Sequence, residues 1–177
     1  MPLHTRLTEG AVALVPLAEA HREGLRDACG EDEAIWEIYP VSYASDRFDA
    51  AFDALLGNAA RLPFAILLDG AVAGMTAYIN ADGARGVIEI GNSYIVPRLR
   101  GTGLNGRVKR LMIDHAFAEG FRRIEFRVDQ RNARSQAAVA RLGAVREGVL
   151  RQERVTWTGH VRDTVLFGLL RDDWQPD

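Results

Sequence analysis

The sequence predicts an α/β domain with a mixed, twisted sheet of about seven strands and helices on both faces. Three observations carry that prediction. The apolar period switches several times between strand and helix values along the 177 residues, and gives the order β-α-α-β-β-β-α-β-α-β-β. Asp69-Gly70 and Thr158-Gly159 each stand between apolar runs and read as hairpin turns. Between them lies an amphipathic helix whose stripe is Leu104, Val108, Leu111, Met112, His115 and Ala116. A chain of this length is the size of one domain, so residues 1–177 are expected to form one.

The elements follow in order. "AVALVPL" (11–17) is a short apolar run and reads as a strand. "AEAHREGLRDACG" (18–30) reads as a helix stopped by Gly30. Pro40 forbids a helix through "EDEAIWEIYPVSY" (31–43). "SDRFDAAFDALLGNAARL" (45–62) is amphipathic, with Ser45 as candidate N-cap and Phe48, Phe52 and Leu55 on one face. Residues 63–79 are two strands around the Asp69-Gly70 turn, and "VIEIGNSYIV" (87–96), ended by Pro97, is the next. After the long helix, "RRIEFRVD" (122–129) alternates as a strand with Ile124, Phe126 and Val128 on one side. "NARSQAAVARLG" (132–143) is a short helix closed by Gly143. "AVREGVLRQERVTW" and "HVRDTVLFGLL" make the final hairpin.

Composition removes several classes of function. A net charge of -2 gives no electrostatic support for a general nucleic-acid role. One cysteine, Cys29, excludes an internal disulfide framework and a multi-cysteine metal cluster, and the four histidines lack metal-ligand spacing. No segment reaches about 18 unbroken apolar residues, and "MPLHTRLTEG" has no apolar signal core. The expectation is a cytoplasmic protein with no membrane partner.

The most informative stretch is "PRLRGTGLNG" (97–106), in which Gly101 to Gly106 spell G-x-G-x-x-G. A dinucleotide fingerprint opens the first βαβ unit of a chain that has several. This one lies past mid-sequence, and only one further strand and helix precede the last hairpin. Asp129, 23 residues beyond Gly106, is the sole support for a ribose ligand. A glycine loop entering a helix still exposes backbone N–H groups and the positive end of the helix dipole. Gly101 and Gly103 let the backbone approach an anion, and Arg98 and Arg100 place positive charge beside it.

The spacing Arg98-x-x-Gly101-x-Gly103, after a strand and before a helix, resembles the acetyl-CoA loop of the GNAT N-acetyltransferase superfamily, Q/R-x-x-G-x-G/A. Asn132, Ser135, Leu142-Gly143 and Glu147-Gly148-Val149-Leu150-Arg151 resemble its RimJ/RimL-type branch. So does the ending "GHVRDTVLFGLLRDDW". The resemblance is strong over residues 86–174 and over 1–85 is one of element order. It implies an acetyltransferase that moves the acetyl group of acetyl-CoA to a primary amine, without a metal. In that fold the fourth and fifth strands part, and the pantetheine arm lies in the gap. Ile95 and Val96 are then expected to offer main-chain groups to the cofactor. The amides of Arg98, Leu99, Arg100, Gly101, Thr102, Gly103 and Leu104 are expected to meet its pyrophosphate, and Asn132 the pantetheine arm. Asn132 is an equally good N-cap for the helix that follows it.

Transfer to an amine needs a base, because an alkylammonium has no lone pair. Glu89 on the fourth strand is one candidate, with a solvated face residue as its other reading; Tyr94, which reads equally as a core residue with a satisfied hydroxyl, Glu153 and a chain of waters are others. Many relatives put a Tyr on the helix after Asn132, and this chain has none there; Ser135 is assigned to the CoA sulfur. Cys29 is expected to be a buried small residue, so direct attack in a ternary complex is favoured over an acyl-enzyme. Lys109, on the first turns of the loop helix, faces either the cofactor or solvent, with a solvated lysine the safer reading, and His115 reads as a core histidine. The acceptor is expected at residues 31–43, where Glu31, Asp32, Glu33 and Glu37 supply negative charge and Trp36, Tyr39 and Tyr43 aromatic faces, suiting a cationic amine; a solvated acidic turn with packing aromatics is at least as good a reading. The resemblance suggests a protein N-terminus, and small amines, polyamines and amine antibiotics stay open, as does a homodimer by family habit. The rivals are a non-catalytic acyl-CoA-binding module and a dinucleotide-dependent oxidoreductase.

Overall fold

The computed structural model describes residues 2–176. Eight strands form one sheet in the order β1-β2-β3-β4-β5-β6-β8-β7. They are β1 (Leu7–Glu9), β2 (Val12–Pro16), β3 (Arg61–Leu68), β4 (Ala71–Asp82), β5 (Val87–Ile95), β6 (Arg123–Asp129), β7 (Val145–Val155) and β8 (Val161–Leu170). Four helices accompany them: α1 (Arg22–Gly30), α2 (Phe48–Leu56), α3 (Leu104–Ala118) and α4 (Ala133–Arg141). The α/β class, the mixed sheet and the element order are those the sequence predicts. The added strand is β1, three residues folded back on β2 through Gly10 at φ 57°. With one buried residue it carries no periodicity to read.

The second amphipathic stretch is shorter than its pattern. The helix runs only over Phe48–Leu56, and residues 61 and 62 already belong to β3. Ser45 does not cap it: its hydroxyl and its N–H both donate to the Glu33 carboxylate. Between α1 and α2 the chain makes a 3-10 turn at Ala34–Ile38 ahead of Pro40.

Strand alternation divides the core into two layers. On one side of the sheet, Phe64, Tyr78, Ile88, Ile90, Ile124, Phe126, Val165 and Phe167 pack with Val108, Met112 and Ala116 of α3 and Val139 of α4. On the other, Ala65, Met75, Tyr94 and Val96 pack with Leu25 of α1 and Phe48 and Phe52 of α2. A one-residue slip would exchange these faces, so burial on both sides fixes the register. Only β5 and β6 pair in parallel, and that junction holds the site.

Candidate active site

β5 and β6 pair at Val87↔Arg123, Ile88↔Ile124 and Glu89↔Glu125, and there the pairing stops. Beyond Glu89 the strands part, and a cavity of about 610 Å³ lies between them. A bulge in β5 shapes its wall. Gly91 stands opposite Ala77 and Tyr94 opposite Met75, so Asn92 and Ser93 share one partner, Thr76. Asn92 takes the extra turn at φ 52°, a conformation Asn tolerates better than most residues. On the far side, β6 and β8 pair along the whole of Arg123–Asp129.

The glycine loop and α4 line one end of the cavity. Gly101 (φ 78°) and Gly103 (φ 89°) hold left-handed backbone, and a Cβ at either would project into open space. The N–H groups of Leu99 and Arg100 bond Val96 and Pro97 carbonyls in a 3-10 turn. Those of Gly101, Thr102 and Gly103 donate to no backbone carbonyl among the described residues. They precede the first turn of α3, whose amides are also unpaired by helix geometry. The cradle fits a pyrophosphate with backbone donors.

The flanking side chains behave differently from expectation. Arg100 turns inward: Nε donates to Ile95 O (2.9 Å), Nη1 meets Asp32 (2.6 Å), and the guanidinium lies over the Tyr94 ring. Arg98 is exposed, 3.6 Å from Glu31. Glu31 and Asp32 therefore balance the loop arginines, and Glu33 holds Ser45. The acidic field expected at the acceptor is largely spent on these contacts. The Val96 N–H bonds Ala73 O and its carbonyl accepts from Leu99, so only the carbonyl's second lone pair is left for a cofactor.

Asn132 accepts a hydrogen bond from the Ser135 N–H (3.0 Å), capping α4, and both residues line the cavity. The Ser135 hydroxyl has no partner among the described residues. Glu89 sits where the strands part, its side chain 13% exposed. Burial raises its carboxyl above the usual range, against the opposing pull of Arg127, Arg154 and Arg61. Glu153 is held low, at about 2, first by its hydrogen bond with Arg154, which leaves it a poor base. Glu147 bridges Arg123 across the sheet (2.6 and 2.8 Å), away from the cavity, and Gly168 leaves the room for that bridge.

Two expected site residues belong to the core. Tyr94 borders the cavity but is 1% exposed, and its hydroxyl is engaged in the core, donating to Ala28 O on α1 (2.7 Å). Trp36 is fully buried with its indole N–H on Cys29 O, and it backs Tyr39 instead of meeting an acceptor. Tyr39 does line the cavity, donating to Ser93 O at the bulge (2.7 Å). The β7–β8 turn closes this side: Trp157 donates from Nε1 to Trp36 O and from its backbone to Pro40 O. Burial raises the Cys29 thiol far above its ordinary value, which removes it as a nucleophile.

Two features go beyond what sequence reasoning favoured. Lys109 is not solvated; it is 6% exposed, lines the cavity, and donates to Ser93 Oγ (2.5 Å) and Thr76 Oγ1 (3.4 Å) behind the bulge. It has no carboxylate within 4 Å among the described residues, and burial lowers its ammonium to about 7. The signal was its place three and four residues before the buried Met112 and Ile113. The second feature is a set of arginines on the cleft face of the sheet: Arg61, Arg127, Arg154 and Arg162. With Ile124, Phe126 and Val128 in one core layer, strand alternation puts Arg127 on the opposite face.

The dinucleotide alternative loses its structural context, since the loop follows β5 in a sheet with a single parallel pair. No group of three or more metal-ligating side chains occurs among the described residues, and no helix there is long and apolar enough to cross a membrane.

Comparison with known proteins agrees with this geometry. The chain is similar over 98% of its length to a GCN5-related N-acetyltransferase from Brucella melitensis, at 29% identity and TM-score 0.90, covering 81% of that chain. It is similar over 98% to a probable GNAT-family acetyltransferase from Chromobacterium violaceum, at 31% identity and TM-score 0.88, covering 94% of that chain. RimJ of Mycobacterium smegmatis, solved with CoA-disulfide, shares the fold at 24% identity and TM-score 0.80, over 97% of this chain and 88% of its own. No curated protein matches by sequence. The profile of the acetyltransferase (GNAT) domain matches residues 12–145, and on that match, with the parted strands and glycine loop it spans, the chain belongs to the GNAT acetyltransferase family.

Proposed function

We propose that this protein is an acetyl-CoA-dependent N-acetyltransferase of RimJ/RimL-like type, a single domain over residues 1–177, acting on a primary amine by direct attack in a ternary complex. The observation that carries the reading is the parting of β5 and β6 beyond Glu89, next to a glycine loop that opens α3. Acetyl-CoA bound in this cleft would supply the thioester acetyl group that the amine takes. The Gly101, Thr102 and Gly103 amides and the first turn of α3 hold its phosphates. Asn132 has amide hydrogens left for the pantetheine arm after capping α4.

Glu89 takes the proton from the acceptor ammonium, directly or through water, and its raised carboxyl suits it to that exchange. An N–H of β5 that lacks a β6 partner polarises the acetyl carbonyl as negative charge develops. Ser135 donates a hydrogen bond to the departing sulfur. Tyr39, tied to the bulge at Ser93, forms the acceptor-side wall. A primary amine on a protein N-terminus or on a small molecule fits such a wall.

The test is thermal unfolding with acetyl-CoA, CoA and NAD(P), in the wild type and in Gly103→Glu. A ligand that binds only the folded state raises its stability by about 2.7 kcal/mol at a hundred times its dissociation constant. Acetyl-CoA and CoA are expected to raise the wild-type midpoint and to leave the variant unchanged, because the new carboxylate stands where the pyrophosphate goes. A shift with NAD(P) and none with acetyl-CoA would refute the reading.

A further inference from the structure

On the cleft face of the sheet, three arginines from three adjacent strands converge beside Glu89. Arg154 on β7 and Arg162 on β8 are register partners, and like charges directly opposite in a sheet repel. Arg154 has its own counterion in Glu153, at 2.6 Å. Arg162 has none: it is 3% exposed, and no carboxylate lies within 4 Å of it among the described residues. Its Nε donates to Thr164 Oγ1 and one terminal nitrogen to Arg127 O (2.9 and 3.2 Å), which leaves the other terminal nitrogen without an acceptor. Arg127 reaches Glu125 at 3.2 Å and Glu153 at 3.8 Å, but its Nε is buried with no hydrogen-bond partner and only a 3.6 Å approach to Glu89.

A charge buried without a counterion is costly, and unused guanidinium donors are costly again. Here both occur on the wall of the cavity that holds Glu89. An anion supplied by the ligand would satisfy them at once, since guanidinium forks match planar carboxylates and phosphates. The cleft thus holds a carboxylate suited to an amine next to guanidinium groups suited to an anion.

We propose that the acceptor is a small amine carrying a carboxylate or phosphate, and that Arg127, Arg154 and Arg162 hold this anion while the amine faces Glu89. The inference rests on the acetyltransferase reading and narrows its acceptor class, away from the polycations that an acidic surface would have favoured.

The experiment uses matched pairs that differ by the anion: 2-phenylethylamine with phenylalanine, and ethanolamine with O-phosphoethanolamine. Acetylation is followed by CoA release, and binding by thermal shift without acetyl-CoA. In the wild type, the anionic member of at least one pair is expected to have about 10- to 100-fold higher kcat/KM, the range of a charge-assisted hydrogen-bond pair. The pair that shows it identifies the anion. Arg154→Gln, on the edge strand, is expected to remove most of that preference. Arg127→Gln is the second variant should Arg154→Gln melt low.

The same anionic amine is expected to stabilise the wild type and Gly103→Glu but not Arg154→Gln, which separates this subsite from the phosphate cradle. Equal rates within both pairs would overturn the proposal while acetyl transfer stands. So would an acetyl-CoA shift with no stabilisation by either anionic amine. Absence of any acetyl-CoA shift would refute the parent reading instead, and the binding arm would still decide whether the arginines take an anion.

Discussion

At the scale of single residues, the side chains that depart from expectation do so through burial. Lys109 looks like an ordinary helix-surface lysine in a one-dimensional reading. Its ammonium lies behind the β5 bulge with two hydroxyls and no carboxylate. Below about pH 7 it is charged in the folded and unfolded chain alike. Between about 7 and the ordinary lysine value of 10.5, the folded chain has released a proton that the unfolded chain keeps. Unfolding then takes up a proton, so this group makes stability rise with pH by up to about 1.4 kcal/mol per unit in that window. Lys109→Met is expected to flatten that part of the profile, as read from urea midpoints at several pH values; an unchanged slope would place the charge elsewhere. Glu89 tests the chemistry. As a base it works deprotonated, and its carboxyl is raised, so the rate falls as pH drops through a point above the usual carboxylate range. Glu89→Gln is expected to lower kcat by about 10²- to 10⁴-fold and to erase that acid limb, with acetyl-CoA binding kept.

At the scale of elements, the sequence was legible wherever one face of a strand or helix meets a core. The alternation of Ile124, Phe126 and Val128 and the stripe of α3 placed β6 and the long helix. Asn132 was legible both as cap and as cavity wall, because capping is local chemistry. For Tyr94 and Trp36 the sequence left site and core readings open, because the partners that decide for the core, Ala28 O and Cys29 O, lie on another element or turn, and a bulge decides which way Tyr94 points. The acidic run at 31–37 was left open for a related reason: its partners Arg98, Arg100 and Ser45 are distant in sequence. The bulge also rests on a close approach. A Cβ on Gly74 would stand 2.0 Å from the Tyr94 carbonyl oxygen, so β4 and β5 must move apart to admit one. Gly74→Ala is expected to cost more than about 2 kcal/mol in denaturant unfolding and to weaken acetyl-CoA stabilisation, since the same backbone forms the cleft wall. A variant of wild-type stability would mean that the strands accommodate the methyl group without shifting.

At the scale of the whole molecule, the sheet is continuous in order but open at one junction. β2 to β5 and the β6-β8-β7 set are joined by three residue pairs between β5 and β6, with α3 packed across the junction in one core layer. Beyond Glu89 the edge of β5 toward β6 has no strand partner, although Ser93 O accepts from Tyr39 and Ile95 O from Arg100, and buried main-chain donors in a folded protein almost always find a partner. A pantetheine arm lying along β5 would supply one and bridge the two halves. Amide exchange reads this directly. Adding CoA is expected to slow exchange at residues 90–95 far more than at Val87–Glu89 and Arg123–Glu125, which are already paired. Gly103→Glu, unable to seat the pyrophosphate, is expected to show no such local protection. Slowing of the same size at every sheet amide would indicate only a general gain in stability from binding. Protection confined to the parted stretch of β5 would establish that the cosubstrate completes the sheet at the point where the acetyl group must be presented to the amine.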